Sequence, residues 1–219
     1  EELGLSREAQ DEWAYRSHQR AIEAIEAGKF ADEIVPVEVP QRKGEPVLLR
    51  EDEAPRKDTA IEKLAGLKPA FGKEGTITAG NAPGVNDGAA ALVLLSEERA
   101  LKEGAEPFAY ILGHAEIAIE GKDFPKTPGL VIQKLLGKTG KMLEDIELFE
   151  INEAFAAVAL ASNQLAGLNP DRVNVNGGAV ALGHPIGASG TRIILTLMHE
   201  LKRRGGGIGI AAICSGGGQ

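Results

Sequence analysis

"DIELFEINEAFAAVALASNQLAG", Asp145 to Gly167, is the stretch on which the reading of the fold turns. Its first part carries Ile146, Leu148, Phe149 and Ile151 and reads as a buried strand ending at Asn152; "EAFAAVALASNQLAG" follows as an alanine-rich helix. The same succession continues on both sides. Upstream, "FAYILGHAEIAI" (Phe108 to Ile119) reads as a strand and "TPGLVIQKLLGKTG" (Thr127 to Gly140) as a helix. Downstream, "RVNVNGGAVA" reads as a strand or loop, "TRIILTLMHELKRRG" as a helix starting near Ser189, and "GGIGIAAIC" as a strand ending at Cys214. Alternating strands and helices predict an α/β architecture with a mostly parallel, buried sheet.

The N-terminal part has a different texture. Ser6 and Glu8 open one amphipathic helix with Trp13, Ala14, Ala21, Ile22 and Ile25 at near-helical spacing, closed by Gly28. Prolines, charge runs and short β-branched pieces from Glu33 to Phe71 then predict an irregular covering region with edge strands and a short helix from about Thr59. From Thr76 the chain turns poor in charge and rich in small residues. An apolar strand is expected over Ala89 to Leu95, then a helix capped by Ser96 that ends near Gly104.

Composition removes several classes of function. The 219 residues are 43% hydrophobic and 26% charged, enough to bury a sizeable core as one large domain or two small ones. The net charge of −8 offers no general basic face for nucleic acid. No apolar run approaches the roughly 20 residues of a membrane-spanning helix. One cysteine, Cys214, rules out an internal disulfide framework and fits a reducing compartment, so a cytoplasmic protein is expected. Glu1 opens without an initiator Met and Gln219 follows three glycines directly after a strand-like run. The chain is therefore expected to be a piece of a longer polypeptide or of an assembly.

Three residues stand where α/β sheets gather their chemistry, beyond the carboxyl ends of strands. Asn152 ends "ELFEIN", where its amide can hold an oxygen or a water, or simply cap the following helix. His184 lies in "GGAVALGHPIGASG" (Gly177 to Gly190), whose five glycines suit close backbone approach; packing in the core is the competing role. Cys214 follows "IGIAAI" and precedes "SGGG", either as a reactive thiol or as a small core filler. Each is expected at the end of a successive strand segment, so that all three share one sheet edge. On the residues alone this predicts an acyl-transfer enzyme with Cys214 as nucleophile, His184 as base and backbone N–H groups as oxyanion hole.

Four motifs then carry a resemblance over nearly the whole chain, in order. "GTITAGNAPGVNDGAAALVLLS" (Gly75 to Ser96), "NEAFA" (Asn152 to Ala156), "NGGAVALGHPIGASG" (Asn176 to Gly190) and "CSGGG" (Cys214 to Gly218) resemble thiolases, the acetyl-CoA C-acetyltransferases and 3-ketoacyl-CoA thiolases. The resemblance implies a thiolase-like layered α/β fold with a mostly parallel mixed sheet. It implies residues 1–82 as a covering region with CoA contacts, 83–104 as the strand-helix tail of the N-terminal thiolase domain, and 105–219 as the C-terminal domain without its last strand.

Chemically, it implies condensation of two acetyl-CoA to acetoacetyl-CoA, or thiolytic cleavage of a 3-ketoacyl-CoA, through an acyl-cysteine. His184 would bond the thioester oxygen and help activate the nucleophile, Cys214 would be the acid/base, and Asn152 would hold a water that completes the oxyanion hole. The acylated cysteine belongs to an N-terminal segment of thiolases absent from these residues, so Cys214 moves from nucleophile to second-step base. Arg56 would contact the CoA nucleotide, with a solvated loop charge as its competing role; Phe71, Ala154 and Phe155 would line the pantetheine and acyl pocket, and Gly216 would also touch CoA. Neither metal nor cofactor is implied, coenzyme A serving as substrate. Partners implied are acyl-CoA, CoA and the missing N-terminal half, in a homodimer or homotetramer.

Two positions depart from the pattern. Pro83 stands where many thiolases have a serine that meets the pantetheine arm, and Phe124 where a methionine is frequent. "NAPG" points to the acetyl-specific type. Arg203 and Arg204 are expected in the last turn of a helix, where cations are favoured, and receive no function. The competing readings are a non-catalytic acyl-CoA-binding or scaffolding subunit, and a ketoacyl-synthase relative, against which the asparagine of "NEAF" and the terminal "CSGGG" speak.

Overall fold

Ser6 starts the first helix of the computed structural model, which describes residues 2–219. Its Oγ accepts the N–H of Ala9 at 3.1 Å, satisfying one of the donors that a helix start leaves open. In chain order the elements are α1 (Arg7–Glu26), β1 (Val37–Val39), β2 (Val47–Leu49), α2 (Ile61–Ala65), α3 (Glu97–Glu103), α4 (Thr127–Thr139), β3 (Leu148–Ile151), α5 (Ala156–Ala166), α6 (Ala179–Leu182), α7 (Ile186–Arg203) and β4 (Gly209–Ala212). Short 3-10 turns connect some of them.

The chain divides into two compact units. The first takes the chain up to Asn86 together with Glu153–Ala161 and Asn174–His184. Here α1 packs against α2 and α6 through Gln10, Trp13, Ala14, Ser17, Ala21 and Ala24, a stripe that recurs every three or four residues. Ile22 and Ile25, expected on that stripe, are only half-buried, while polar Gln10, Ser17 and His18 stand within it. The edge strands of the covering region are β1 and β2, an exposed antiparallel hairpin with Val37 opposite Leu49.

The second unit holds Asp87–Asn152, Ser162–Val173 and Pro185–Gln219. Its centre is the parallel pair β3 and β4, in register from Leu148 opposite Gly209 to Ile151 opposite Ala212. A single parallel bridge adds Val173 beside Phe149. Helix α7 packs on both strands and α4 on β4. Ile132, Ile146, Leu148, Ile151, Val173 and Ile193 are all at most 2% exposed, a branched aliphatic core of the kind a parallel sheet requires.

The structure departs from the sequence reading in four stretches. The apolar runs Ala89 to Leu95 and Phe108 to Ile119 form no strand; Val93 is 88% exposed and Ile111 74%. Both have strand-type residues, but among the described residues no neighbouring strand supplies a ladder to satisfy their backbone groups. "RVNVNGGAVA" joins the sheet only through the bridge at Val173 and then turns into α6, because its backbone donors are taken by side chains described below. Helix α7 begins at Ile186 rather than near Ser189, with Pro185 as N-cap.

Candidate active site

The pairing of β3 with β4 sets two of the three expected groups at one sheet edge. Asn152 follows the last residue of β3, is fully buried, and donates its backbone N–H to the carbonyl of Ala212 at 2.9 Å. That bond closes the Ile151–Ala212 pairing at the end of the register. Helix α5 starts only at Ala156, so Asn152 is not its cap, and the sequence reading of a capping asparagine is corrected. Cys214 stands two residues past the end of β4, at the same carboxyl edge of the same pair.

The Cys214 thiol is 7% exposed, and burial pushes its pKa from 9.0 up to about 11, against a smaller downward pull from its own backbone hydrogen bond. The shift holds the thiol in its protonated form over a wider pH range than an ordinary cysteine. Downstream, Ser215 and Gln219 close a turn by exchanging backbone hydrogen bonds, with exposed Gly216 at its crest.

His184 is not at a strand end, which corrects the expectation of three successive strand termini. It belongs to the first unit and follows α6 through Gly183. Gly183 has φ +98, and a Cβ there would lie 2.6 Å from the amide carbon of Asn86. The His184 backbone N–H donates to Asn86 Oδ1 at 3.3 Å, and its ring is half-buried. Pro185, the N-cap of α7, is the next residue in the chain.

The softer candidates fall in the first unit as well. Phe71, 66% exposed, meets the half-buried Phe155 edge to face, with ring centroids 6.2 Å apart and planes at 89°. Ala154 beside Phe155 is half-buried. Arg56 is exposed, and its backbone N–H donates to Nδ1 of His18 at 3.1 Å. Burial first, and the Arg56 guanidinium second, lower the pKa of His18 from 6.5 to about 4, with Asp58 opposing. Arg56 thus already has a structural partner, apart from any ligand.

The "NEAFA" motif holds a further polar residue, Glu153, to which the motif itself assigns no role. Glu153, 1% exposed, accepts hydrogen bonds on both carboxylate oxygens from three segments of the first unit. A carboxylate inside the apolar junction of a strand and a helix was the signal, since such a group is buried only when it is amply bonded.

A parallel strand pair carries Asn152 and Cys214 at its carboxyl edge, and the same α/β chain holds the glycine-rich loop of His184. Family models agree along the chain: residues 1–98 match "Thiolase, N-terminal domain" and residues 105–219 match "Thiolase, C-terminal domain". The chain belongs to the thiolase family. It is 52% identical over 216 residues to an acetyl-CoA acetyltransferase of Chromobacterium violaceum, covering 99% of this chain and 55% of that protein. Among solved structures, an acetyl-CoA acetyltransferase of Bacillus anthracis matches with a TM-score of 0.96 at 51% identity, covering 99% of this chain and 55% of that one. Human mitochondrial 3-ketoacyl-CoA thiolase matches with a TM-score of 0.92 at 41% identity, with the same coverage. The fold is therefore the thiolase α/β fold, and the chain spans about half the length of the relatives it matches.

Proposed function

We propose that this chain supplies the proton-transfer and oxyanion-stabilising part of a thiolase that condenses two acetyl-CoA to acetoacetyl-CoA or runs that reaction backwards. The observation that carries this reading is the strand pair: register from Ile151 to Ala212 brings Asn152 and Cys214 to one edge, in a chain alike to thiolases over its whole length. The acyl-accepting cysteine is contributed by thiolase sequence outside these residues. In the first step that cysteine's sulfur, entering as a thiolate, takes the acetyl group as the bond to the CoA sulfur breaks, and the Cys214 thiol gives the departing CoA sulfur its proton. Cys214, now a thiolate, removes the α-proton of the second acetyl-CoA. The resulting carbanion forms the new carbon–carbon bond as the acyl–cysteine bond breaks.

In this reading His184 and a water on Asn152 stabilise the thioester oxygen as it gains charge, each donor contributing about 2.7 to 4 kcal/mol. Phe71, Ala154 and Phe155 form the pantetheine and acyl wall, with Arg56 and Gly216 at the CoA nucleotide and sulfur ends. Coenzyme A is substrate and no further cofactor is used. The exposed apolar runs around Val93 and Ile111 support a partner polypeptide, the remaining thiolase length, that completes their strands. Residues 1–82 are proposed as the covering region, 83–104 as the tail of the N-terminal domain and 105–219 as the C-terminal domain. The assembly is proposed to be a cytoplasmic homodimer or homotetramer of the acetyl-specific type.

The test joins this sequence to the upstream thiolase segment and follows both acetoacetyl-CoA formation and acyl-CoA binding. Cys214→Ala is expected to abolish condensation nearly completely while binding persists. Condensation at the wild-type rate in that variant would overturn the role of Cys214, and binding without any turnover in the unmodified chain would favour a scaffolding subunit.

A further inference from the structure

We infer that Glu153 is a positioning residue for His184, a role that rests on the thiolase reading above. Its Oε1 accepts the indole N–H of Trp13 and an amide N–H of Asn174, each at 2.8 Å. Its Oε2 accepts the hydroxyl of Ser17 at 2.8 Å and the backbone N–H of Val180 at 3.0 Å. Ser17 Oγ in turn accepts the backbone N–H of Gly178 at 3.0 Å. The carboxylate thus gathers α1, the turn at Asn174 and the first residues of α6 around one buried charge.

What these bonds hold is the run that leads into His184. Asn174 sits in the left-handed region at φ 47, where an asparagine is among the few residues tolerated, and its side chain is spent on Glu153. Gly178 lies so close to the carboxylate that any Cβ there would collide with it. Two residues beyond the end of α6, the His184 N–H meets Asn86. The segment is therefore clamped at its start by Glu153 and at its end by Asn86. All the named contacts to the carboxylate are donors, so both oxygens must accept. An amide at this position would turn an NH2 group towards either the Trp13–Asn174 or the Ser17–Val180 pair and push that side away. An error of about 1 Å in a catalytic group costs on the order of 10²-fold in rate.

The experiment uses the sequence joined to the upstream thiolase segment, with kcat and KM expressed per titrated active site so that unfolded protein does not count. Glu153→Gln is expected to lower kcat by about 10²-fold with KM within about twofold, Glu153→Asp to recover part of that loss, and Ser17→Ala to lower kcat by about tenfold. Should Glu153→Gln fail to fold, Ser17→Ala gives the same reading. The inference is overturned if kcat per site stays within about threefold of wild type in the readable variant, or if KM and kcat change while the His184 amide resonance does not move. Absence of turnover in the unmodified joined chain sinks the thiolase reading instead. In that case amide NMR of the 219-residue chain decides. Coupled displacement of the Val180 and His184 N–H signals in Ser17→Ala and Glu153→Gln upholds positioning; displacement of Val180 alone overturns it.

Discussion

Both units bury polar groups, but the first fills its apolar interior mainly with alanine and the second mainly with branched aliphatic side chains. Among the largest fully buried side chains, Gln10, Asn81, Glu153, Val158 and Asn174 belong to the first, whereas Ile132, Ile146, Leu148, Ile151, Asn152, Val173 and Ile193 belong to the second. The apolar interior of the first is mostly alanine: Ala14, Ala21, Ala24, Ala156, Ala159, Ala179 and Ala181. Small residues bring helices and loops close, and the close backbones leave polar groups that only other polar groups can satisfy. Asn81 illustrates this, giving its amide N–H to Asp11 at 2.9 Å while its Oδ1 accepts the N–H of Thr78 at 2.8 Å. The sheet of the second unit satisfies its own backbone, and its buried side chains are mainly aliphatic, with Glu150 of β3 a charged exception 3.6 Å from Arg192. The two units should therefore fail under different stresses.

The largest effect should come from removing volume in the sheet. Ile151→Ala leaves a cavity at a position with no exposure and should cost about 4 kcal/mol in urea unfolding, at pH 8 and at pH 5 alike. A loss below about 1 kcal/mol would show that this core is loosely packed.

Next in size is acid, which should act on the first unit. His18 is neutral in the fold with a pKa of about 4 against an ordinary 6.5, so the unfolded chain binds the extra proton in between. Its contribution is complete above pH 6.5, is lost as pH falls towards about 4, and is flat below that. Allowing for solvent screening, the loss should be about 2 kcal/mol. Trp13, the only tryptophan and part of the first unit, reports it by fluorescence. The pH dependence should vanish in His18→Asn; its persistence there would assign acid sensitivity elsewhere.

The smallest effect sharpens the contrast inside the second unit itself. Ile111→Ala, at a 74% exposed position, should change the stability of this chain by less than about 0.5 kcal/mol. In a chain joined to the remaining thiolase length the same change should cost about 2 kcal/mol or more, as burial against a partner strand would require. Equal small effects in both would leave the run without a strand partner.

Much of this was legible in the sequence. Ser6 and Ser96 cap α1 and α3, Gly104 and Gly140 end α3 and α4 in the left-handed conformation, and "LFEI" and "GIAA" are the two parallel strands, the first buried and the second half-buried on alternate residues. Those features depend on residues near one another in the chain. "RVNVNGGAVA" misled because its fate is set by distant side chains: Ser17 takes the Gly178 N–H and Glu153 that of Val180, which favours α6 over a longer strand. Ala89 to Leu95 and Phe108 to Ile119 misled because strand-type residues make a strand only when another strand pairs with them.

By itself, then, the sequence determined the α/β class, the helix caps, the two central strands, the family and the candidate residues, all of which follow from local spacing, side-chain type and motif order. Tertiary structure alone decided that Asn152 and Cys214 share a sheet edge, that His184 hangs from a different scaffold, that burial raises the thiol's pKa, and that Glu153 anchors the loop before His184. Register, burial and hydrogen bonds between remote segments exist only once the chain has closed on itself, so no local pattern records them.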